Sequence, residues 1–493
     1  MRLCGIGCLV RLNRLDIGFS RLTFSRVTQT EIKSAGLELR WNARLRGILA
    51  VLCVVLFLDG LDISMVGVAL PSIGTALHMS TTSLQWIVNG YVLGYGGLLL
   101  LGGRTADLLG RRKVFLVALG VFTVASLLGG LVDDGGLLIA TRFVKGLAAA
   151  FTAPAALSIL TTTFPEGRAR NRALSIFSVF GASGYSSGLI IGGLLTSLGW
   201  RWNFLVPVPI ALTALIAGSL LIAKDGRAHH GGHDLGGAVT LVAGTLLAVY
   251  AVVAAPDRGW LDPLTVSLFV IAAALLAGFA AVESGVRQPL VRLGILRSGT
   301  LVRANLSLVA MLGSYFSFQF MMTLYLQDDL RWTPLRVAFA LLPVGLIVAL
   351  SAPLTGRLIT AFGTTPMIVL ALASYTAGYV WVLTGGDRPA YASHLLPSMI
   401  LLGFGFGFGY SAVIAQATEG IASHEQGLAS GLVQSSGQVG AALVLAVVTG
   451  LIATAGSTFT QFHPGVNLVA GVAAAGLLLN VPALFRRRPA RRH

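Results

Sequence analysis

Asp59 and Asp62 stand three residues apart inside the apolar stretch 47–71, and Arg142 and Lys145 repeat that spacing inside the apolar stretch 138–160. Residues three apart share one face of a helix, so each stretch presents a pair of like charges on one side. Charges this far into apolar segments cost roughly 2.5 to 3.5 kcal/mol each on membrane-insertion scales, and they persist where they compensate one another or mark a pathway. At about 1.5 Å per residue, Asp62 lies ~13 Å and Lys145 ~10 Å from the helix ends on one side. Two anions and two cations at similar depth fit a fixed ion cluster. They equally fit a switch, in which a carboxylate held between cations stays ionised and one parted from them in a desolvated setting takes up a proton.

The elements that must position these groups are apolar stretches, each long enough to cross about 30 Å of hydrocarbon as a helix. Fourteen recur, near 47–71, 83–101, 114–132, 138–160, 173–196, 203–223, 235–255, 263–282, 304–326, 337–355, 367–384, 395–415, 427–453 and 466–485. The chain is 55% hydrophobic and only 11% charged, with a mean hydropathy of +0.82, which excludes an ordinary soluble globular protein. The expected class is an all-α membrane protein.

The net charge of +16 does not point to nucleic acid, because the basic residues segregate by side. Arg104, Arg111, Arg112, Lys113, Arg168, Arg170, Arg172, Lys224 and both basic tails fall on one side of the alternating spans. Acidic residues such as Asp133, Asp134, Asp257, Asp262, Asp328 and Asp329 populate the other. An even number of spans then places both termini in the cytoplasm. Residues 1–45 form a basic tail without the single apolar core of a cleavable signal, either a surface-lying segment or sequence ahead of a downstream start. Cys4, Cys8 and Cys53 offer neither a disulfide framework nor a ligand set. His229, His230 and His233 sit in a Gly-rich loop that reads as solvated rather than metal-binding, so no metal or cofactor is expected. GxxxxGK[ST] does not occur, and no constellation supports an enzyme.

The chain repeats itself: GRTADLLG at Gly103 returns as GRLITAFG at Gly356. The segment GRTADLLGRRK, Gly103 to Lys113, reads as a short charged hairpin between two spans, with Gly103 and Gly110 permitting the turn. It resembles the loop after the second helix of major facilitator transporters. LDISMVGVALPSI at Leu61, RFVKGLAAAFTAPAAL at Arg142, GWRWNFLVPVPI at Gly199, YLQDDLRWTPLRVAFALLP at Tyr325 and ASGLVQSSGQVGAALVLAV at Ala429 resemble, in order and spacing, the 14-helix drug:proton antiporter branch typified by EmrB and QacA. Lys145 stands where that branch has Gln, and Pro207 and Gly67 stand where it has Asn.

The resemblance implies a major facilitator fold: a six-helix half over 46–223, a linker with two extra helices over 224–298, a second six-helix half over 299–485, and basic cytoplasmic tails at 1–45 and 486–493. It implies a proton-coupled exporter of drug-like or antibiotic amphipathic molecules in the plasma membrane, acting as a monomer with the lipid bilayer and protons as its other partners. It places Asp62 and Arg142 in proton coupling, with Asp59 and Lys145 beside them. Asp107 would gate the carrier with Arg111 and Arg112, meeting a helix N-terminus of the other half. A metabolite or siderophore carrier, or a non-transporting membrane receptor, remains the alternative. The branch's fifth helix carries Gly-Pro before a Gly pair, whereas this chain has Leu189 there; Gly184, Gly188, Gly192 and Gly193 still offer bare backbone to a neighbouring helix. Gly403, Gly405, Gly407 and Gly409 likewise give two smooth packing faces. Tyr91, Tyr95, Tyr185, Phe316, Phe318, Phe320, Tyr325, Phe404, Phe406, Phe408 and Tyr410 are the candidates for an aromatic substrate cavity.

Overall fold

The computed structural model describes residues 42–164, 168–224, 235–285, 293–421, 426–452 and 459–485. Each of the fourteen apolar stretches centres on a helix. These are α1 (Ala43–Leu77), α2 (Thr81–Leu109), α3 (Arg111–Leu131), α4 (Gly135–Thr163), α5 (Arg168–Leu198), α6 (Trp202–Leu221), α7 (Leu235–Arg258), α8 (Pro263–Gly285), α9 (Gly299–Leu324), α10 (Pro334–Phe362), α11 (Thr364–Leu383), α12 (Leu396–Thr418), α13 (Gln426–Ile452) and α14 (His463–Phe485). Among the described residues, twelve are long and apolar enough to cross a membrane; α2 and α7 fall outside that set.

Local chemistry sets where they start and stop. Ser80, Asp134, Ser298 and Thr333 cap α2, α4, α9 and α10, each side chain accepting the backbone N–H three residues on. The α2–α3 junction corrects the expected hairpin. Helix α2 runs through Gly103 and Asp107 to Leu109 and α3 begins at Arg111, because the only break is Gly110, with φ at 97°. Its counterpart in the sequence repeat, Gly363, makes the same break between α10 and α11 with φ at 89°. A side chain at either position costs about 1–3 kcal/mol of backbone strain. Gly110→Ala and Gly363→Ala should therefore each lower the melting temperature of the purified protein. Gly356→Ala, with nothing within 4 Å of the added carbon, should not.

Packing repeats eight helices on. In the first set α2 packs on α4, α3 on α4 and α6, and α1 on α5; in the second, α10 packs on α12, α11 on α12 and α14, and α9 on α13. The two sets meet along two equivalent seams, α5 against α10 and α2 against α13. Helices α7 and α8 pack on each other, and α7 also lies against α13 and α2, where Trp86 and Tyr250 stack at 5.6 Å.

Candidate functional site

The charge pairs read from the sequence converge, though unequally. Asp62 on α1 is fully buried, and its two carboxylate oxygens accept hydrogen bonds from Arg142 Nη1 and Lys145 Nζ on α4. Both cations are further fixed. Arg142 Nε donates to the Ile87 carbonyl of α2 at 3.1 Å and its guanidinium lies 4.6 Å from the Tyr91 ring. Lys145 Nζ donates to Ser126 Oγ on α3 at 3.0 Å and faces the Phe122 and Phe204 rings at 4.7 and 5.5 Å. Ser126 in turn donates to the Phe204 carbonyl of α6 at 2.8 Å. One carboxylate thus ties α1 to α4, and its partners reach α2, α3 and α6. Asp59 does not join: it is 8% exposed, and its Oδ2 has no hydrogen-bond partner.

The glycines explain how α1 is held at this register. A Cβ on Gly188 would sit 2.7 Å from the Leu61 carbonyl oxygen, and one on Gly192 would sit 2.6 Å from Met65 Cα. Gly184 presses equally on Phe57, one turn before Asp62. Three glycines at four-residue spacing therefore let α5 lie backbone to backbone on α1. Gly193 turns to the other half, where its Cβ would meet Ala338 at 2.6 Å on α10. On α12, Gly403 and Gly407 face α10 through Ile347 and Ser351, while Gly405 and Gly409 face α11 through Tyr375 and Ala371.

The gating residues separate in role. Asp107 lies on the last turns of α2, and its side chain is outside the described residues. Arg112 Nη2 donates at 2.6 Å to the Ser219 carbonyl and Arg44 Nε at 3.1 Å to that of Leu221, so both satisfy the end of α6. The His229–His233 loop and the basic tails lie outside the described residues.

Between the halves runs a polar and aromatic layer that sequence reading found only in part. Tyr185 on α5 is hydrogen-bonded to Tyr315 at 3.2 Å and to Gln319, both on α9. Tyr315 packs against Phe406 at 5.3 Å, Phe406 stacks on Tyr410 at 5.5 Å, and Tyr410 donates to Gln434 at 3.5 Å. Across the seams, Gln327 Nε2 donates to the Val68 carbonyl at 2.8 Å, Thr449 bonds Gln85, and Ser435 bonds the Gly96 carbonyl. Tyr315, Tyr375, Gln319, Gln327 and Gln434 were not singled out, since single polar residues in apolar runs carry no spacing signal. Of the aromatic candidates, Phe404 and Phe408 instead line an outer groove of about 170 Å³ with Leu370, Ala371 and Ser374.

Two bundles that repeat one pairing pattern, meet along two equivalent seams and bury ion pairs within one bundle make a membrane carrier of two pseudo-symmetric halves. A family comparison agrees: residues 52–445 and 306–493 match the Major Facilitator Superfamily, and the chain belongs to it. It is 37% identical over 424 residues to the puromycin resistance protein of Streptomyces alboniger, spanning 84% of this chain and 83% of that one. It is 33% identical over 454 residues to the tetracenomycin C resistance and export protein of Streptomyces glaucescens, spanning 90% and 83%. Among solved structures, the POT family transporter PepTSo shares the fold with a TM-score of 0.67 at 17% identity, covering 91% of this chain and 99% of that chain.

Proposed function

We propose that this protein exports antibiotic-like amphipathic small molecules across the plasma membrane in exchange for protons. The relatives named for resistance and export support the direction and the substrate class. The observation that carries the coupling is Asp62, fully buried and bracketed by Arg142 and Lys145 from another helix. In the state described, the carboxylate is compensated and ionised. Rocking of the halves that drew α1 from α4 would leave it desolvated and without its cations, the condition under which a carboxylate takes up a proton. We assign fourteen spans, with halves at 46–223 and 299–485, both termini cytoplasmic, a monomeric carrier, and Asp107 with Arg111 as a gate at the α2–α3 turn.

The test is uptake of puromycin by proteoliposomes of the purified protein, with and without an imposed pH gradient. Accumulation that requires the gradient and collapses on adding a protonophore is expected. Equilibration that ignores the gradient would remove the coupling from this reading.

A further inference from the structure

The buried carboxylate that the ion cluster leaves over has its own surroundings. Asp59 lies near the middle of α1, ~24 Å from one end and ~27 Å from the other at 1.5 Å per residue. Asp62, one turn on, takes both nearby cations, and among the described residues Asp59 has no ion-pair partner. A buried carboxylate with an oxygen left unpaired costs free energy unless something fills the vacancy.

A circuit of rings starts and ends at this residue. Beside it, a Cβ on Gly60 would lie 3.0 Å from the Tyr185 backbone nitrogen, so α5 runs against α1 at the level of Asp59. From Tyr185 the layer passes to Tyr315, then Phe406, then Tyr410. Tyr95 closes it, standing within electrostatic range of both Tyr410 and Asp59 and stacked on Tyr91 at 6.2 Å. Tyr95, Tyr185, Phe406 and Tyr410 are each only partly buried, although they sit mid-helix and are turned toward the opposite half. The rings come from both halves, so the carrier's rocking would open and shut the space they border.

We propose that Asp59 and this ring circuit bind the positively charged group of an organic monocation, a protonated or quaternary amine. The carboxylate supplies the counter-charge, and the tyrosine and phenylalanine faces supply cation–π contact to alkylated nitrogen. An inorganic cation such as Ca²⁺ would need six or more oxygen ligands, which one carboxylate among rings does not provide. The proposal narrows the substrate class of the exporter reading and rests on it, but its test needs no gradient and no transport.

Binding of radiolabelled tetraphenylphosphonium to the full-length protein in detergent, measured by equilibrium dialysis, decides it. Asp59→Asn should weaken binding by about tenfold or more while leaving the melting temperature unchanged or raised. Tyr95→Leu should weaken it by roughly threefold or more, and Tyr95→Phe should restore it. Wild-type protein that fails to bind the cation overturns the site, as does undiminished binding by Asp59→Asn. Should Asp59→Asn fail to fold, undiminished binding by Tyr95→Leu overturns it. Loss of gradient-driven transport with cation binding intact would count against the exporter reading alone.

Discussion

Asp62→Asn should abolish gradient-driven accumulation while substrate exchange without a gradient persists. The substitution keeps shape and hydrogen-bonding capacity but removes the group that can titrate. It also strips the counter-charge from two buried cations, and breaking a buried ion pair costs on the order of 3–5 kcal/mol. The single variant should therefore melt lower than wild type. Asp62→Asn combined with Lys145→Gln removes one of those stranded cations, and it should recover much of the melting temperature without recovering accumulation. Stability and coupling are thus measured on separate axes, by thermal unfolding in detergent and by proteoliposome uptake. If Asp62→Asn still accumulates substrate at wild-type rates, the cluster is structural and the proton travels elsewhere.

The second large effect is steric. Gly146 follows Lys145 on α4, and a Cβ there would lie 2.8 Å from the Tyr91 carbonyl carbon and 2.9 Å from its Cα. Backbone cannot swing aside as a flexible side chain can, so the helices must part. Gly146→Val should cost at least the roughly 1–3 kcal/mol typical of overpacking. It would also part α4 from α2, at the level where Arg142 is bonded to Ile87. Folded yield and melting temperature should both fall sharply, and surviving protein should have lost accumulation. Gly103→Ala, whose added carbon meets only Pro154 at an ordinary 3.7 Å, serves as the tolerated control.

What could be foreseen followed from periodicity and cost. Fourteen apolar runs and the GRTADLLG repeat were legible because span length and duplicated turns leave strong marks in a sequence. The approach of Asp62 to Arg142 and Lys145 was legible because uncompensated charge in hydrocarbon is so unfavourable that matched depth implies contact. Which of two aspartates takes the cations was not, since both lie on one helix face and only the packing of α1 on α4 decides. Nor was the continuity of α2 through Gly103, where helical geometry overrides a residue usually associated with turns. Arg112 illustrates a third limit: a basic residue beside a turn suggests gating, whereas its partner is the frayed end of α6, more than a hundred residues away.

The α7–α8 hairpin gives the molecule a handedness that its halves lack. By internal pairing, the α2–α13 and α5–α10 seams are interchangeable, yet α7 rests on α2 and α13. A solute dissolved in the lipid around the carrier therefore meets two unlike flanks: one where a pair of extra helices stands between acyl chains and seam, and one built from the halves themselves. Twofold symmetry governs how the halves move, while the perimeter that a membrane-borne solute encounters has no such symmetry.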